Sequence, residues 1–189
     1  MTELTERQKE IIEKGIKIIA EEGIQNLTIK NLSKVVGVTE GALYKHYDNK
    51  HAILLGIVDF FEEFSKQYTL GKGLTGIKSF VMERYKKFSD NPELVKVMFA
   101  EALFINNDEL SERMKDIMHS HKKYVDIMIE EGKKAGDINL VIESNSIFRI
   151  IFGSMRLLVT QWCYSGYSFN LEEEGKILWE NIELTLKPR

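Results

Sequence analysis

The chain has 189 residues, of which 43% are hydrophobic and 29% are charged. This composition excludes an intrinsically disordered chain and predicts one or two compact domains. The formal net charge of −3 excludes a protein that binds nucleic acid over its whole surface, so any anion-binding surface must be local.

The termini and the apolar stretches favour a cytoplasmic protein. Residues 1–4 lack the basic start and the apolar run of a signal peptide. The most apolar segment, residues 147–159, is short and contains Arg149 and Arg156, so we expect no membrane span. Cys163 is the single cysteine and cannot form an internal disulfide, so we interpret it as a buried filler in a reducing compartment.

Apolar residues recur at three-and-four spacing along nearly the whole chain, and strict alternation is nowhere sustained. This period predicts an all-α fold of about nine helices. The first helix is expected to begin at a capping box formed by Thr5 and Gln8 and to end near Gly23.

Two short helices follow, each with a threonine at its start. The second helix is predicted from Thr28 to just before Gly37, and the third begins at Thr39. Hydrophobic staples support both starts, with Leu27 and Leu32 at the second helix and Val38 and Leu43 at the third. Two stapled helices separated by a Gly-Val turn predict a helix-turn-helix, with the first helix as its support.

The rest of the chain is also read as helical. The fourth helix is expected to begin at Asp48 or Asn49 and to run to the Gly-Lys-Gly break at residues 71–73. The last five helices are predicted at about residues 75–90, 92–105, 108–135, 142–165 and 170–186.

The third helix is predicted to be a two-turn segment whose outer face reads DNA. Leu43 must point inward, which leaves Glu40, Gly41, Tyr44 and Lys45 outside. The major groove of B-DNA admits one α-helix, and a helix-turn-helix presents its second helix there. Residues 28–50 hold four lysines against two acidic residues, so the positive charge is concentrated on this motif.

The segment "LTIKNLSKVVGVTEGALYKHYDNKHAIL" (residues 27–54), preceded by a helix ending in "AEEGIQN", closely resembles the DNA-binding module of TetR-family transcriptional regulators. The resemblance is strong over about the first quarter of the chain, and it extends to the remainder only in helical layout. Tyr47 stands where the family most often has Phe.

The resemblance implies a role for each matching position. Base-edge or close groove contacts are implied for Lys30, Glu40, Gly41 and Tyr44. Phosphate contacts are implied for Thr28, Thr39, Tyr44, His46 and Lys50, consistent with anion binding at helix N-termini. Glu40 either accepts a hydrogen bond from a cytosine amino group or caps the third helix as a first-turn acid.

The expected organisation is a DNA-binding domain over residues 1–50 and a helical effector-binding and dimerisation domain over residues 51–189. One helix-turn-helix has little contact area, so we expect a homodimer that reads a pseudo-palindromic operator with half-sites about 34–36 Å apart. The resemblance implies pairing through the last two helices. The predicted interface residues are Ile151, Leu158, Trp162, Leu171, Leu178, Trp179, Ile182 and Leu186.

Met and aromatic side chains on three helices of the second domain suggest a cavity for a mostly apolar or amphipathic small molecule, although such rows also occur in plain core packing. The candidate residues are Met98, Phe99, Phe104, Met114, Ile117, His121, Tyr124, Met128, Phe152, Met155 and Arg156.

Arg149 and Arg156 have two interpretations. Either they pair with Glu180 or Glu183, within one chain or across the dimer, or Arg156 holds a ligand carboxylate. We expect no metal, because His119 and His121 are two apart on one helix and point away from each other. No cofactor is expected either.

These features predict a homodimeric repressor of the bacterial cytoplasm, associated with the nucleoid and released from its operator by the effector. The fourth helix is expected to transmit the change as a population shift. The alternative is an effector-independent DNA-binding dimer that recruits a protein, as nucleoid-occlusion relatives do. An enzyme is not expected, since no Gly-rich phosphate loop, metal group or nucleophile–base pair is present in the sequence.

Overall fold

The computed structural model describes residues 4–66 and 71–188. Over these residues the chain forms nine α-helices and no strand, which confirms the all-α prediction. The helices are α1 (Glu6–Glu22), α2 (Ile29–Val36), α3 (Glu40–Tyr44), α4 (Lys50–Ser65), α5 (Gly73–Asp90), α6 (Pro92–Met98), α7 (Asp108–Ala135), α8 (Ser144–Tyr164) and α9 (Leu171–Leu186).

The capping residues read from the sequence set the starts of the first four helices. Thr5 and Gln8 form the predicted capping box of α1. The hydroxyl oxygens of Thr28 and Thr39 accept hydrogen bonds from the third backbone N–H of α2 and α3, at 3.1 and 3.2 Å. Asn49 accepts from Ala52 N–H at 2.9 Å, which places the start of α4 at one of the two positions considered. Local hydrogen bonding therefore accounts for where these helices begin.

Three helices end earlier than the sequence predicts. The helix expected over residues 92–105 stops at Met98, and a 3₁₀ turn at Glu101–Leu103 follows. This break places the ring of Phe104 edge-on to that of Phe61, with centroids 5.9 Å apart. α4 ends at Ser65, where the Lys66 N–H donates to the Glu63 carbonyl in a tightened last turn. The sequence predicted its end at residues 71–73, and residues 67–70, which lie between, are outside the described residues. α3 has five residues instead of two full turns.

The described chain divides into two compact units, which do not coincide with the expected boundary at residue 50, the first residue of α4. Unit 1 contains residues 4–66 and 93–116, and unit 2 contains residues 71–92 and 117–188. α7 begins in unit 1 and continues in unit 2.

In unit 1, α1 packs against α2 and α4, and α2 packs against α3. Its core consists of side chains with no exposed surface, among them Ile11, Ile12, Leu27, Leu32, Leu43, Ile53 and Ile57. The Lys96 ammonium on α6 donates to the Ala20 carbonyl of α1 at 2.6 Å. Arg113 on α7 pairs with Asp59 on α4, so α6 and the start of α7 are held to α1 and α4.

In unit 2, α9 packs against both α5 and α8. The backbone of α9 comes close to α5 at Gly175, where an added Cβ would overlap the ring of Tyr85. The Asn139 N–H donates to the Leu186 carbonyl at 2.8 Å, which fixes the end of α9 against the loop before α8. Trp179 is buried, and its indole N–H donates to Glu183 at 2.9 Å.

Candidate functional site

The helix-turn-helix has the geometry that its sequence predicts. Gly37 ends α2 in the left-handed conformation, with φ of 78° and ψ of 34°, which a residue without Cβ adopts at no steric cost. Val38 N–H then donates to the Ser33 carbonyl at 2.9 Å, and Thr39 caps α3. Leu43 is completely buried, so the helix is anchored by one side chain and its opposite face is available to a ligand.

The residues predicted to contact DNA lie on the exposed side of this motif. Tyr44 has 48% of its surface exposed. Apart from the adjoining backbone of α3, no atom lies within 4 Å of the position that a Cβ on Gly41 would take, so the helix is open to close approach there. The other exposed members of the set are Thr28, Lys30, Thr39, Glu40, Lys45 and His46. Two helix N-termini, one long aromatic side chain and several basic side chains of this motif are thus accessible to a ligand.

Lys50 differs from the rest of the set. Its ammonium is half-buried and donates to the Ile24 carbonyl at 2.6 Å. The side chain therefore joins the start of α4 to the turn between α1 and α2. If Lys50 contacts a phosphate, its ammonium must donate to the phosphate and to the Ile24 carbonyl together. The sequence did not indicate the bond to Ile24.

Tyr47, the position where the sequence departs from the family pattern, is buried with 6% of its surface exposed. Its hydroxyl has no hydrogen-bond partner among the described residues. Burial, with a smaller contribution from the negative charge of Asp59, raises the pKa of Tyr47 to about 12. The side chain therefore supports the motif from beneath and does not face the solvent.

Unit 2 contains an aromatic cluster formed by Phe80, His121, Tyr124, Phe148 and Phe152. The ring centroid of Phe80 lies 6.3 Å from His121, 5.6 Å from Tyr124 and 6.1 Å from Phe152, and Phe148 stacks on Phe152 at 4.3 Å. Phe80 is buried, whereas the other four rings are partly accessible. Three members, His121, Tyr124 and Phe152, were among the predicted pocket residues.

Arg84 lies beside this cluster and was missed by sequence analysis. Its guanidinium carbon is 4.7 Å from the centre of the Phe80 ring, and 4% of the residue is exposed. Burial, followed by the positive charge of Arg84, lowers the pKa of His121 to about 4. The spacing of Ile77, Phe80, Arg84 and Phe88 on α5 follows an inward helix face, and this signal in the sequence would have identified Arg84.

The other predicted pocket residues are divided between the two units. Met98, Phe99, Phe104 and Met114 belong to unit 1, while Ile117, Met128, Met155 and Arg156 belong to unit 2. A surface groove of about 600 Å³ runs along α7 and includes His119, Asp126 and Glu130, but it shares no residue with the predicted pocket.

The surface of α8 and α9 differs from the predicted interface. Six of the predicted residues are buried within unit 2: Ile151, Trp162, Leu171, Trp179, Ile182 and Leu186. Leu158 and Leu178 are partly exposed. The apolar residues that these helices expose are instead Ile150, Leu157, Tyr164, Ile177 and Leu184. The reason is that a helix covered on two sides has two apolar faces, and the sequence did not indicate which one meets the core.

Glu183, one of the two carboxylates considered as a partner of Arg149 or Arg156, makes several contacts within its own chain. Glu183 accepts from Lys187 at 2.6 Å and from the Trp179 indole, and Lys78 lies 3.9 Å away. The hydrogen bond from Lys187, the largest cause, holds the pKa of Glu183 below its usual value. Arg149 is exposed on α8.

Two family profiles together match most of the chain. Residues 11–57 match the profile described as "Bacterial regulatory proteins, tetR family". Residues 57–183 match the profile described as "YsiA-like protein, C-terminal region", a TetR C-terminal domain. The chain belongs to the TetR family of transcriptional regulators.

Individual TetR-family proteins resemble it over nearly their full length. The nucleoid occlusion factor SlmA of Vibrio cholerae is 22% identical, covering 94% of this chain and 96% of that protein. The fatty acid metabolism regulator protein of Bacillus subtilis is 23% identical, with 86% of each chain covered.

Solved structures of TetR-family regulators show the same fold. The fatty acid degradation regulator FadR of Bacillus halodurans superposes with a TM-score of 0.86 at 21% identity, covering 100% of both chains. FadR of Bacillus subtilis, determined in complex with stearoyl-CoA, has a TM-score of 0.80 at 20% identity, with 92% and 96% covered.

Two further features of this TetR-family chain concern ions and membranes. Within residues 4–66 and 71–188 no group of three or more His, Cys, Asp or Glu side chains is placed to hold a metal ion. None of the helices in the part of the chain that the structure describes has the length and apolar character needed to cross a bilayer.

Proposed function

We propose that the protein is a homodimeric, sequence-specific DNA-binding regulator of the bacterial cytoplasm that acts as a repressor. The outward face of α3 carries this proposal, because Leu43 is completely buried while Tyr44 and Lys45 on the same short helix are exposed. Two such helices about 34–36 Å apart would enter successive major grooves of a pseudo-palindromic operator.

The test is selection of operator fragments from genomic DNA with the full chain, followed by fluorescence anisotropy. Tyr44→Ala should weaken operator binding at least about tenfold, as loss of a side chain in the groove does. Ile105→Ala is the matched control, because it truncates another exposed apolar side chain of unit 1. Equal affinity of Tyr44→Ala and the wild type would contradict the assignment of α3.

We infer that the effector is an amphipathic compound with a long acyl chain. The aromatic cluster of unit 2 and the buried Met128 and Met155 supply adaptable apolar surface for such a chain. The resemblance to Bacillus subtilis FadR, whose structure was determined with stearoyl-CoA, supports the same class of ligand. Release of the labelled operator by stearoyl-CoA or stearate, but not by short-chain analogues, is the expected result.

The signal would reach the DNA-binding module through α7 as well as α4. α7 carries His121 in unit 2 and, in unit 1, Glu109 and Arg113, which pair with His51 and Asp59 of α4. A ligand that favours one position of α7 would therefore favour one position of α4, in the manner of a population shift. Sequence analysis alone assigned this step to the fourth helix.

The resemblance to SlmA favours a second candidate, a DNA-binding dimer without an effector. Its C-terminal domain would recruit a protein partner instead. The two functions differ in one measurement: operator affinity that no acyl compound changes, together with binding sites spread over the chromosome, would favour the second.

A further inference from the structure

One face of α7 in unit 2 carries charges whose sign changes along the helix. A groove of about 600 Å³ runs along this face, and every side chain that lines it lies within residues 119–134 of α7. Lys122 and Lys123 lie in its first half, and Glu130 and Glu131 lie in its second half. Because the lining residues are three or four positions apart, they form one stripe about 22 Å long. The middle of this stripe therefore changes from basic to acidic.

The centre of the stripe is open to solvent. Ile127 lies between the basic and the acidic pair, and 55% of its surface is exposed. Lys123 is exposed beside it. In the part of the chain that the structure describes, neither Lys123 nor Glu131 forms an ion pair. An exposed apolar side chain and two charges without a counter-charge can therefore meet a partner here.

The other two charged side chains have partners within the chain. Lys122 pairs with Asp126. Glu130 accepts a hydrogen bond from the Ser144 hydroxyl at 2.6 Å, and the Lys133 ammonium is 4.0 Å away. The side chains of Lys122 and Glu130 nevertheless keep 35% and 54% of their surface exposed. Since a carboxylate accepts several hydrogen bonds and an ammonium donates three, both can take a further partner.

The order of charges along this face is complementary to itself. A second copy of α7 can cross it antiparallel, with a two-fold axis between Ile127 and the residue before it. Lys123 then lies opposite Glu130 of the partner subunit. Lys122 likewise lies opposite the partner subunit's Glu131. Each ion pair occurs twice because the axis is two-fold, and the two copies of Ile127 meet at the axis.

We propose that this face of α7 is a self-association surface for a second copy of the chain, separate from α8 and α9. The inference goes beyond the function proposed above and depends neither on an effector nor on pairing through α8 and α9. Antiparallel pairing of α7 with α7 places opposite charges together, whereas parallel pairing places lysine against lysine and glutamate against glutamate. Charge therefore determines the direction of the pairing.

The size of the face indicates a weak contact. Each copy offers eight side chains, far fewer than the roughly 20–30 residues a side of a stable interface. His119 and Lys134, which lie opposite each other at the two ends, add no attraction, and exposed ion pairs stabilise little. The contact should form where copies are held close together, as they are on neighbouring DNA sites.

Cross-linking at the axis tests whether two copies meet there. Ile127→Cys is oxidised with copper–phenanthroline at low ionic strength, and covalent pairs are measured on non-reducing gels. Met118→Cys is the matched control, because Met118 is 57% exposed on the same helix but does not line the groove. Ile127→Cys should form pairs at least about tenfold faster, since a disulfide requires close Cα atoms. Equal rates would overturn the proposal.

Charge reversal tests the register of the pairing. Lys123→Glu or Glu130→Lys, each added to Ile127→Cys, places like charges together and should slow cross-linking about tenfold. The double variant Lys123→Glu/Glu130→Lys should recover the rate, because the opposed charges are only exchanged. Lys86→Glu, exposed on α5, makes the same charge change and should keep the rate. Unchanged rates in the single variants, or no recovery in the double variant, would contradict the proposal.

A final variant separates this surface from α8 and α9. Leu157→Glu introduces a charge at an exposed apolar position of α8. Added to Ile127→Cys, it should leave the rate of cross-linking unchanged. Loss of cross-linking would mean that the two copies of α7 meet only when α8 and α9 are paired, and a separate surface would be excluded.

Discussion

The hydroxyl group of Tyr47 is buried in unit 1 without a hydrogen-bond partner among the described residues. Because an unpaired buried polar group is destabilising, Tyr47→Phe should raise the free energy of unfolding by up to about 1 kcal/mol. Urea unfolding measures the change. Tyr44→Phe, at an exposed position, should change it by less than about 0.5 kcal/mol. A loss of stability in Tyr47→Phe would mean that the hydroxyl is paired in solution.

The two lysines at the ends of the recognition segment are expected to act differently. Lys45 is exposed, so Lys45→Ala should lower the salt dependence of DNA binding by about one phosphate contact. Lys50 holds the Ile24 carbonyl, so Lys50→Ala should lower the free energy of unfolding by about 1 kcal/mol. Binding titrations at several salt concentrations and urea unfolding separate the effects. If Lys50→Ala changed the slope of log affinity against log salt concentration by a full unit and left stability unaltered, Lys50 would be a phosphate contact, as the sequence predicts.

The largely buried imidazole of His121 makes stability depend on pH. The pKa of His121 is about 4 in the folded chain, below the usual value of 6.5. Between pH 6.5 and pH 4 the imidazole is therefore protonated in the unfolded chain and neutral in the folded chain. His121 should therefore lower the free energy of unfolding as pH falls from 7 to 4, by about 2 kcal/mol at pH 5. His121→Leu should lack this part of the pH dependence. His119→Leu, at an exposed position, should retain it.

At the scale of elements, the contact between α5 and α9 depends on one glycine. A Cβ at residue 175 would overlap the Tyr85 ring, so Gly175→Ala should push the helices apart and cost about 1–3 kcal/mol of stability. Thermal unfolding measures this. Gly41→Ala in α3 meets no atom within 4 Å and should cost no stability, yet it should weaken DNA binding by limiting groove approach. Equal stability of Gly175→Ala and the wild type would show that Tyr85 moves aside.

At the scale of the whole molecule, the exposed apolar residues of α8 and α9 recur at intervals of seven. Ile150, Leu157 and Tyr164 form such a row on α8, and Ile177 and Leu184 form one on α9. Rows of this spacing suit a four-helix bundle between two copies. Leu157→Glu should therefore give a monomer in sedimentation velocity and weaken operator binding at least about tenfold. Leu140→Glu, exposed in the loop before α8, should remain a dimer.

Local features of the fold were predictable because they depend on residues within about four positions of one another. Thr5, Thr28, Thr39 and Asn49 cap the helices that they precede, and Gly37 takes the left-handed turn. The inward direction of Leu43 follows from the same short-range periodicity. The surface of the helix-turn-helix could therefore be described from the sequence, although its DNA contacts stay predictions.

Contacts between distant residues were decided only by the tertiary structure. The Phe80 ring on α5 lies next to Arg84 of the same helix, His121 on α7 and Phe152 on α8. No local sequence pattern indicates that the residues on these three helices are neighbours. The same holds for the association of α6 and the start of α7 with the DNA-binding helices, and for the faces of α8 and α9 that meet the core. Periodicity states that a helix has an apolar face, whereas only the packing of the whole chain determines what that face contacts.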